Sequence, residues 1–244
     1  MNGENSKVVI VTGGGTGIGK AIAERFVAAD ARVLVVGRRE APLAALALQY
    51  PARLSYLVAD LTQAEDRARI VPTAIDRYGR LDVLVNNAGA FCLGGIEHTT
   101  DEQYETAYAT NVVAPASLIR AAVQHLTQTR GCVINLSTVV ARAVFPGTSV
   151  YVSSKAALNQ LTRVLAKELG PLGIRVNAVA PGATKTEMGN DALSAFGEEA
   201  FVSMTPLGRV GEPADIAQSV YFLASPEGAW ITGQILEASG GMSL

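Results

Sequence analysis

Short apolar runs, most of them rich in β-branched residues, recur along the chain with room for a helix between most of them. They are KVVIV (7–11), RVLVV (32–36), LSYLVA (54–59), LDVLV (81–85), CVINL (132–136), IRVNAV (174–179) and GQILEA (233–238). Their apolar residues are largely consecutive rather than alternating, which suits strands buried on both faces. Between the first two runs, Ile18, Ile22, Phe26 and Ala29 fall on one face at helical spacing. Strand and helix therefore alternate, and right-handed crossovers turn that alternation into a parallel sheet covered on both sides. The expected fold is α/β, a doubly wound sheet of about seven parallel strands. Thr100 followed by Gln103 reads as a capping box opening a helix at DEQYETAYATN, and Pro213 suits the first turn of another. No linker or repeat interrupts the pattern, so residues 1–244 are expected to form one domain with a flexible start at 1–6.

Composition narrows the function classes. A chain of 244 residues that is 49% hydrophobic and 17% charged can bury a sizeable core. With 20 basic against 22 acidic residues it carries no electrostatic footprint for nucleic acid or an anionic membrane. Cys92 and Cys132 belong to no CxxC or Cys/His cluster, so neither a disulfide scaffold nor a metal site is expected. His98 and His125 have no acid or metal partner at a suggestive spacing and read as surface residues. The start of the chain lacks a secretory pattern and no span approaches ~20 apolar residues, so a cytoplasmic location is expected. Asn135-Leu136-Ser137 matches a glycosylation sequon, but it falls in an expected buried strand.

Chemistry enters after the first strand, at TGGGTGIGKA. Gly13, Gly17 and Gly19 are spaced GxxxGxG, and no register satisfies GxGxxG. Glycines here permit a tight strand-to-helix turn and let backbone N–H groups approach a pyrophosphate at a helix N-terminus. The second strand ends in VVGRRE. A carboxylate at this point would accept from a ribose 2′-hydroxyl but repel a 2′-phosphate. Gly37 leaves room instead and Arg38 can fork onto phosphate oxygens, which argues for NADP(H) over NAD(H). Arg39 is the more exposed candidate for the same task.

The ordered set of TGGGTGIG (12–19), Asp60 in VADLT, NNAG (86–89), Asn111, YVSSK (151–155), PGATKT (181–186) and PLGRVGEPADIA (206–217) resembles the short-chain dehydrogenase/reductase family. The resemblance runs from about Lys7 to the C-terminus and implies a Rossmann-type fold and a nicotinamide cofactor. It assigns cofactor contacts to Gly13, Gly15, Thr16, Gly17, Ile18 and Gly19 in the turn, and to Asp60 and Leu61 at the adenine. It places Asn87, Ala88 and Gly89 along the ribose, with Pro181, Gly182, Thr184 and Thr186 over the nicotinamide and phosphates. By the same resemblance Tyr151 is the acid/base group, Lys155 holds ribose hydroxyls, and Asn111 keeps a helix locally open and anchors a water leading to Lys155.

Tyr151 and Lys155 stand at i and i+4 of an expected helix, so they project from one face. A free phenol with a pKa of ~10 is a poor base near neutrality. A nearby ammonium and an oxidised nicotinamide would both favour phenolate. The family shows a serine thirteen residues before its tyrosine; here that position is Thr138, and Ser137 precedes it. Successive strand residues face opposite ways, so one must be chosen. Thr138 is expected to meet the substrate oxygen, and Ser137 to be a buried residue bonded to backbone.

Phe91, Cys92, Leu93, Val139, Val140 and Phe145 are expected to bound a ketone or secondary alcohol with an apolar body. Residues 187–205 read as a substrate lid or as a plain amphipathic surface helix. Within the family, 3-oxoacyl carrier-protein reductases are similar in sequence, but the arginines they use for docking their carrier correspond to Thr129 and Leu172 here. Small residues such as Ser153, Ala156 and Ala157, together with ITGQILEASGGMSL, resemble the surfaces through which family members form homotetramers. A non-catalytic NADP(H)-binding regulator is the rival reading; such a protein has no need of the Tyr151, Lys155 and Asn111 set.

Overall fold

The computed structural model describes residues 6–242 and 244, apart from the side chains at 191, 192, 195 and 196. Each apolar run becomes a strand: β1 (Val8–Thr12), β2 (Arg32–Gly37), β3 (Leu54–Val58), β4 (Val83–Asn86), β5 (Cys132–Leu136), β6 (Arg175–Pro181) and β7 (Ile235–Ala238). They form one sheet in the order β3-β2-β1-β4-β5-β6-β7. Every pairing is parallel. Chain order reverses between β2 and β4, the two neighbours of β1, and such a switch point opens a crevice at the carboxyl ends of the strands.

Strands β1, β4 and β5 are buried at every residue, as consecutive apolar side chains require when helices cover both faces. The expectation of full burial does not extend to β3 and β7. These edge strands have only one neighbour each, and β7 is half-buried throughout. On one face α1 (Gly17–Val27), α2 (Glu40–Gln49) and α9 (Pro213–Ala224) pack Ile22, Phe26, Leu43 and Val220 onto the sheet. On the other, α3 (Ala64–Tyr78), α5 (Ala114–Thr129) and α6 (Ser149–Leu169) contribute Ile70, Leu118, Ile119 and Leu169.

The helix starts follow their signals. Thr100 caps α4 (Asp101–Tyr108) in a full capping box with Gln103, and Pro213 is the first residue of α9. Residues 1–5 of the expected flexible start lie outside the described residues. Ser6 departs from that expectation: it is buried, accepting from Arg53 at 3.2 Å and donating to Asp30 at 3.4 Å. The 187–205 segment is two helices, α7 (Glu187–Phe196) and α8 (Glu198–Ser203), joined at Gly197, whose φ of 82° suits a residue without a Cβ.

Candidate active site

A cleft of about 1150 Å³ lies at the carboxyl ends of the strands. Its floor is the turn between β1 and α1. Gly13 has φ +64°, and a Cβ there would stand 2.9 Å from the Asn87 amide nitrogen; one on Gly19 would collide with the Gly13 carbonyl oxygen. Glycine at both positions therefore lets α1 start directly against the loop that follows β4. The Thr12 hydroxyl locks the two loops together, donating to the Val85 carbonyl at 3.4 Å and accepting from the N–H groups of Asn87 (3.0 Å) and Ala88 (3.1 Å). The Asn87 amide nitrogen donates to Thr12 O (2.8 Å) and Gly13 O (3.2 Å), so this side chain shapes the turn as well as lining the cleft.

The start of α1 fits an anion. Thr16 precedes the helix without a side-chain cap bond, and no acidic residue lies in the first turn. The N–H groups opening a helix have no partner within it, and with the helix dipole they favour negative charge. Gly15, Thr16, Gly17 and Ile18 all line the cleft here. At the end of β2, Arg38 is exposed at the cleft edge and has no hydrogen-bond or ion-pair partner among the described residues. Arg39 differs: its Nη2 donates to Glu187 Oε2 at 2.7 Å and to Thr16 Oγ1 at 3.3 Å. Leu61 lines the cleft beside Asp60, whose Oδ1 accepts from the N–H (2.9 Å) and hydroxyl (2.8 Å) of Thr62. These features together suit a dinucleotide: an open helix terminus for a diphosphate, with an unpaired guanidinium at the cleft edge.

Deeper in the cleft, α6 presents Tyr151 and Lys155 one turn apart, as the i, i+4 spacing predicts. Tyr151 keeps part of its surface open to the cleft, and the Phe91 ring packs against it edge-on, centroids 5.0 Å apart at 82°. Burial pushes the Tyr151 phenol up to about 12, while the nearby Thr138 hydroxyl pulls the other way. Thr138, not Ser137, thus meets Tyr151. The expected backbone bond of the Ser137 side chain is not found: its hydroxyl is buried without a partner, and only its N–H is used, donating to Val179 O at 2.8 Å. Lys155 is 3% exposed and donates to the Leu136 carbonyl at 2.7 Å. Desolvation lowers its ammonium to about 8. Its Nζ stands 5.9 Å from the Tyr151 ring centroid.

Asn111 lies in a one-turn π segment, Ala109–Val113, between α4 and α5. Such a turn marks a local opening of the helix. The side chain is fully buried and reaches two distant segments: Oδ1 accepts from Ala90 N at 2.9 Å, and Nδ2 donates to Ala90 O (3.0 Å) and Ser154 Oγ (2.9 Å). It ties the loop after β4 to the helix carrying Tyr151. Ser154 is the far end of that tie. A second polar line runs behind it, Asn86 Nδ2 to Asn135 Oδ1 (2.8 Å) and Asn135 Nδ2 to Thr162 Oγ1 (2.9 Å). Asn135 is fully buried in β5, which removes its sequon from contention.

Pro181, Gly182, Thr184 and Thr186 follow β6 along the cleft. Thr184 donates to Gly182 O at 2.9 Å, and Thr186 caps α7 by accepting from Gly189 N at 2.8 Å. Phe91, Leu93, Val139, Val140 and Phe145 line the cleft as expected, together with Met188, Leu193 and Phe201 of the 187–205 segment. Cys92 is half-buried outside this lining, and Cys132 is buried in β5. Among the described residues no group of His, Cys, Asp and Glu could hold a metal, and no helix is long and apolar enough to cross a membrane.

Fold and site together define a pyridine-nucleotide-dependent oxidoreductase. Residues 13–243 match a family model described as enoyl-(acyl carrier protein) reductase. An uncharacterized oxidoreductase of Methylorubrum extorquens is 40% identical over 250 residues, covering 99% of this chain and 100% of its own. Among solved structures, a 3-ketoacyl-(acyl-carrier-protein) reductase from Brucella melitensis complexed with NADH superposes with a TM-score of 0.92 at 30% identity, covering 98% of each chain. A blue fluorescent protein from a metagenomic library, in complex with NADPH, does so at 0.93 and 37%, over 100% of both. The chain belongs to the short-chain dehydrogenase/reductase family.

Proposed function

We propose that the protein reduces a ketone with an apolar body to the secondary alcohol at the expense of NADPH, with Tyr151 as the proton donor. The contact between Tyr151 and Thr138, in a cleft floored by an uncapped helix N-terminus, carries this reading. When bound, the nicotinamide supplies or accepts the hydride. The chain's own residues handle the oxygen and its proton. Thr138 donates to the carbonyl oxygen and holds it beside Tyr151. A phenol at about 12 is protonated near neutrality, so it is equipped to give its proton as negative charge develops on that oxygen. Lys155, at about 8, carries a proton at neutral pH and lies one helical turn away to favour the phenolate that remains. Arg38 supports NADP(H) over NAD(H), because a partnerless guanidinium suits a phosphate monoester.

The apolar walls, from Phe91 to Phe201, support a substrate with an apolar body. The 187–205 helices, hinged at Gly197, act as its lid. Further parts of the same reading are a homotetramer built on α6 and the C-terminal segment, and a cytoplasmic location. A second reading, 3-oxoacyl carrier-protein reductase, is favoured by the likeness to the 3-ketoacyl-(acyl-carrier-protein) reductase of Brucella melitensis. It has one nearby guanidinium in support, Arg130, which lies against Gly173 beside exposed Leu172. A panel of ketones, alcohols and a 3-oxoacyl thioester, followed by NADPH absorbance, tests both. Turnover should fall by about 10²–10⁴ in Tyr151→Phe, with NADPH still bound. Unchanged turnover in that variant would show that Tyr151 is not the acid.

A further inference from the structure

Arg38 and Arg39 are neighbours with unlike surroundings. Arg38 has no partner among the described residues, whereas Arg39 reaches across the cleft to Glu187, the first residue of α7, and touches Thr16 on the way. Three segments meet at this contact: the glycine turn before α1, the end of β2, and the start of the 187–205 helices. Beyond it lies a second cavity of about 690 Å³. Thr16, Gly17, Thr186 and Glu187 line both cavities and so form the wall between them. The wall is packed as well as paired, since the Thr186 methyl stands 3.2 Å from where a Gly17 Cβ would be. On its far side Lys185 pairs with Glu198 at 3.1 Å and Glu212 at 3.7 Å, anchoring the start of α7 to the segments behind it.

We propose that the Arg39–Glu187 pair, resting on Thr16, is a strap across the cofactor cleft that governs how fast the cofactor enters and leaves, while Arg38 governs which cofactor is preferred. The proposal rests on the reading that NADP(H) occupies this cleft. Glu187 already balances the charge of Arg39, so Arg39 adds little net attraction for a phosphate. Its contact with Thr16 puts the pair over the uncapped start of α1, the part of the cleft suited to a diphosphate. NADPH and NADH share that diphosphate, so the strap does not distinguish them. Both side chains are well exposed, 63% for Arg39 and 66% for Glu187, so the pair is a weak and salt-sensitive closure. It can open on every turnover.

Stopped-flow fluorescence of NADPH and NADH binding to wild type, Glu187→Gln, Arg39→Met and Arg38→Ala tests this division. Glu187→Gln and Arg39→Met should raise the association and dissociation rates of both cofactors by up to about fivefold, with the equilibrium affinity changed by less than about twofold. High salt should speed exchange in wild type and have less effect in Glu187→Gln. Arg38→Ala should weaken NADPH alone. Rates indifferent to Glu187→Gln, or altered for NADPH only, overturn the strap while leaving the cofactor site standing. Failure of wild type to bind either cofactor overturns the reading of the cleft, and the strap with it.

Discussion

Arg38→Ala removes a guanidinium that the fold leaves unpaired at the end of β2. No carboxylate loses a partner in the process: among its neighbours, Glu40 accepts from the Tyr56 hydroxyl at 3.1 Å and Glu187 is held by Arg39. The loss therefore falls on ligand binding, and stability should stay within about 0.5 kcal/mol of wild type. A hydrogen bond to a charged group contributes about 1.5–3 kcal/mol. Because Arg38 is exposed, water competes for the phosphate and the lower end applies. About 1.5 kcal/mol is roughly a tenfold rise in the NADPH dissociation constant. NADH carries a 2′-hydroxyl at that point and should bind both proteins alike. Fluorescence titration of each cofactor against each protein gives the four constants, and a repeat at high salt should shrink the NADPH effect. Equal affinities of wild type for the two cofactors, or an equal loss for both in the variant, would refute the phosphate argument.

Other outcomes follow from the interior of the cleft. Thr138→Ala should lose turnover while Thr138→Ser retains most of it, because serine supplies the same hydroxyl. Ser137→Ala should be as active and at least as stable as wild type, since a buried hydroxyl without a partner costs about 1–3 kcal/mol; steady-state kinetics and urea unfolding of the three check the pair. Lys155 falls from 10.5 to about 8 on folding, so between those values the unfolded chain holds a proton that the folded chain has released, and stability rises with pH. Lys155→Met lacks this dependence. Any stability advantage it has at neutral pH should shrink by about 3 kcal/mol as pH is raised to 10.5, as read by urea unfolding. Asn111→Ala should cost about 1–2 kcal/mol, because the N–H and C=O of half-buried Ala90 lose their partner, and chemical denaturation measures it.

Much of this architecture is visible in the sequence because it rests on local patterns. Consecutive apolar residues announce strands wherever helices cover both faces, and Gly13 and Gly19 announce the turn because no other residue fits. Tyr151 and Lys155 are legible as a pair through helical spacing. What the sequence hides depends on distant partners. Nothing near Glu187 announces Arg39, 148 positions earlier. Ser154 looks like helix packing until Asn111, 43 positions away, is seen to donate to it. The half-burial of β7 follows from its place at the sheet edge, which its own residues do not encode. The orphaned Ser137 hydroxyl is likewise a product of tertiary packing.

The Thr12 hydroxyl bonds backbone groups of Val85, Asn87 and Ala88, and so joins β1 to β4 and the loop after it whatever side chains those three residues carry. The apolar walls hang further out, from the later part of the loop after β4 and from the loops after β5 and β6. The site is thus divided into a conserving half and a permissive half. Side chains such as Phe91, Val140, Phe145 and Met188 can be exchanged for others without disturbing a bond of the cofactor floor. A chain built this way can acquire new substrates by drift in its walls while its hydride chemistry stays unaltered.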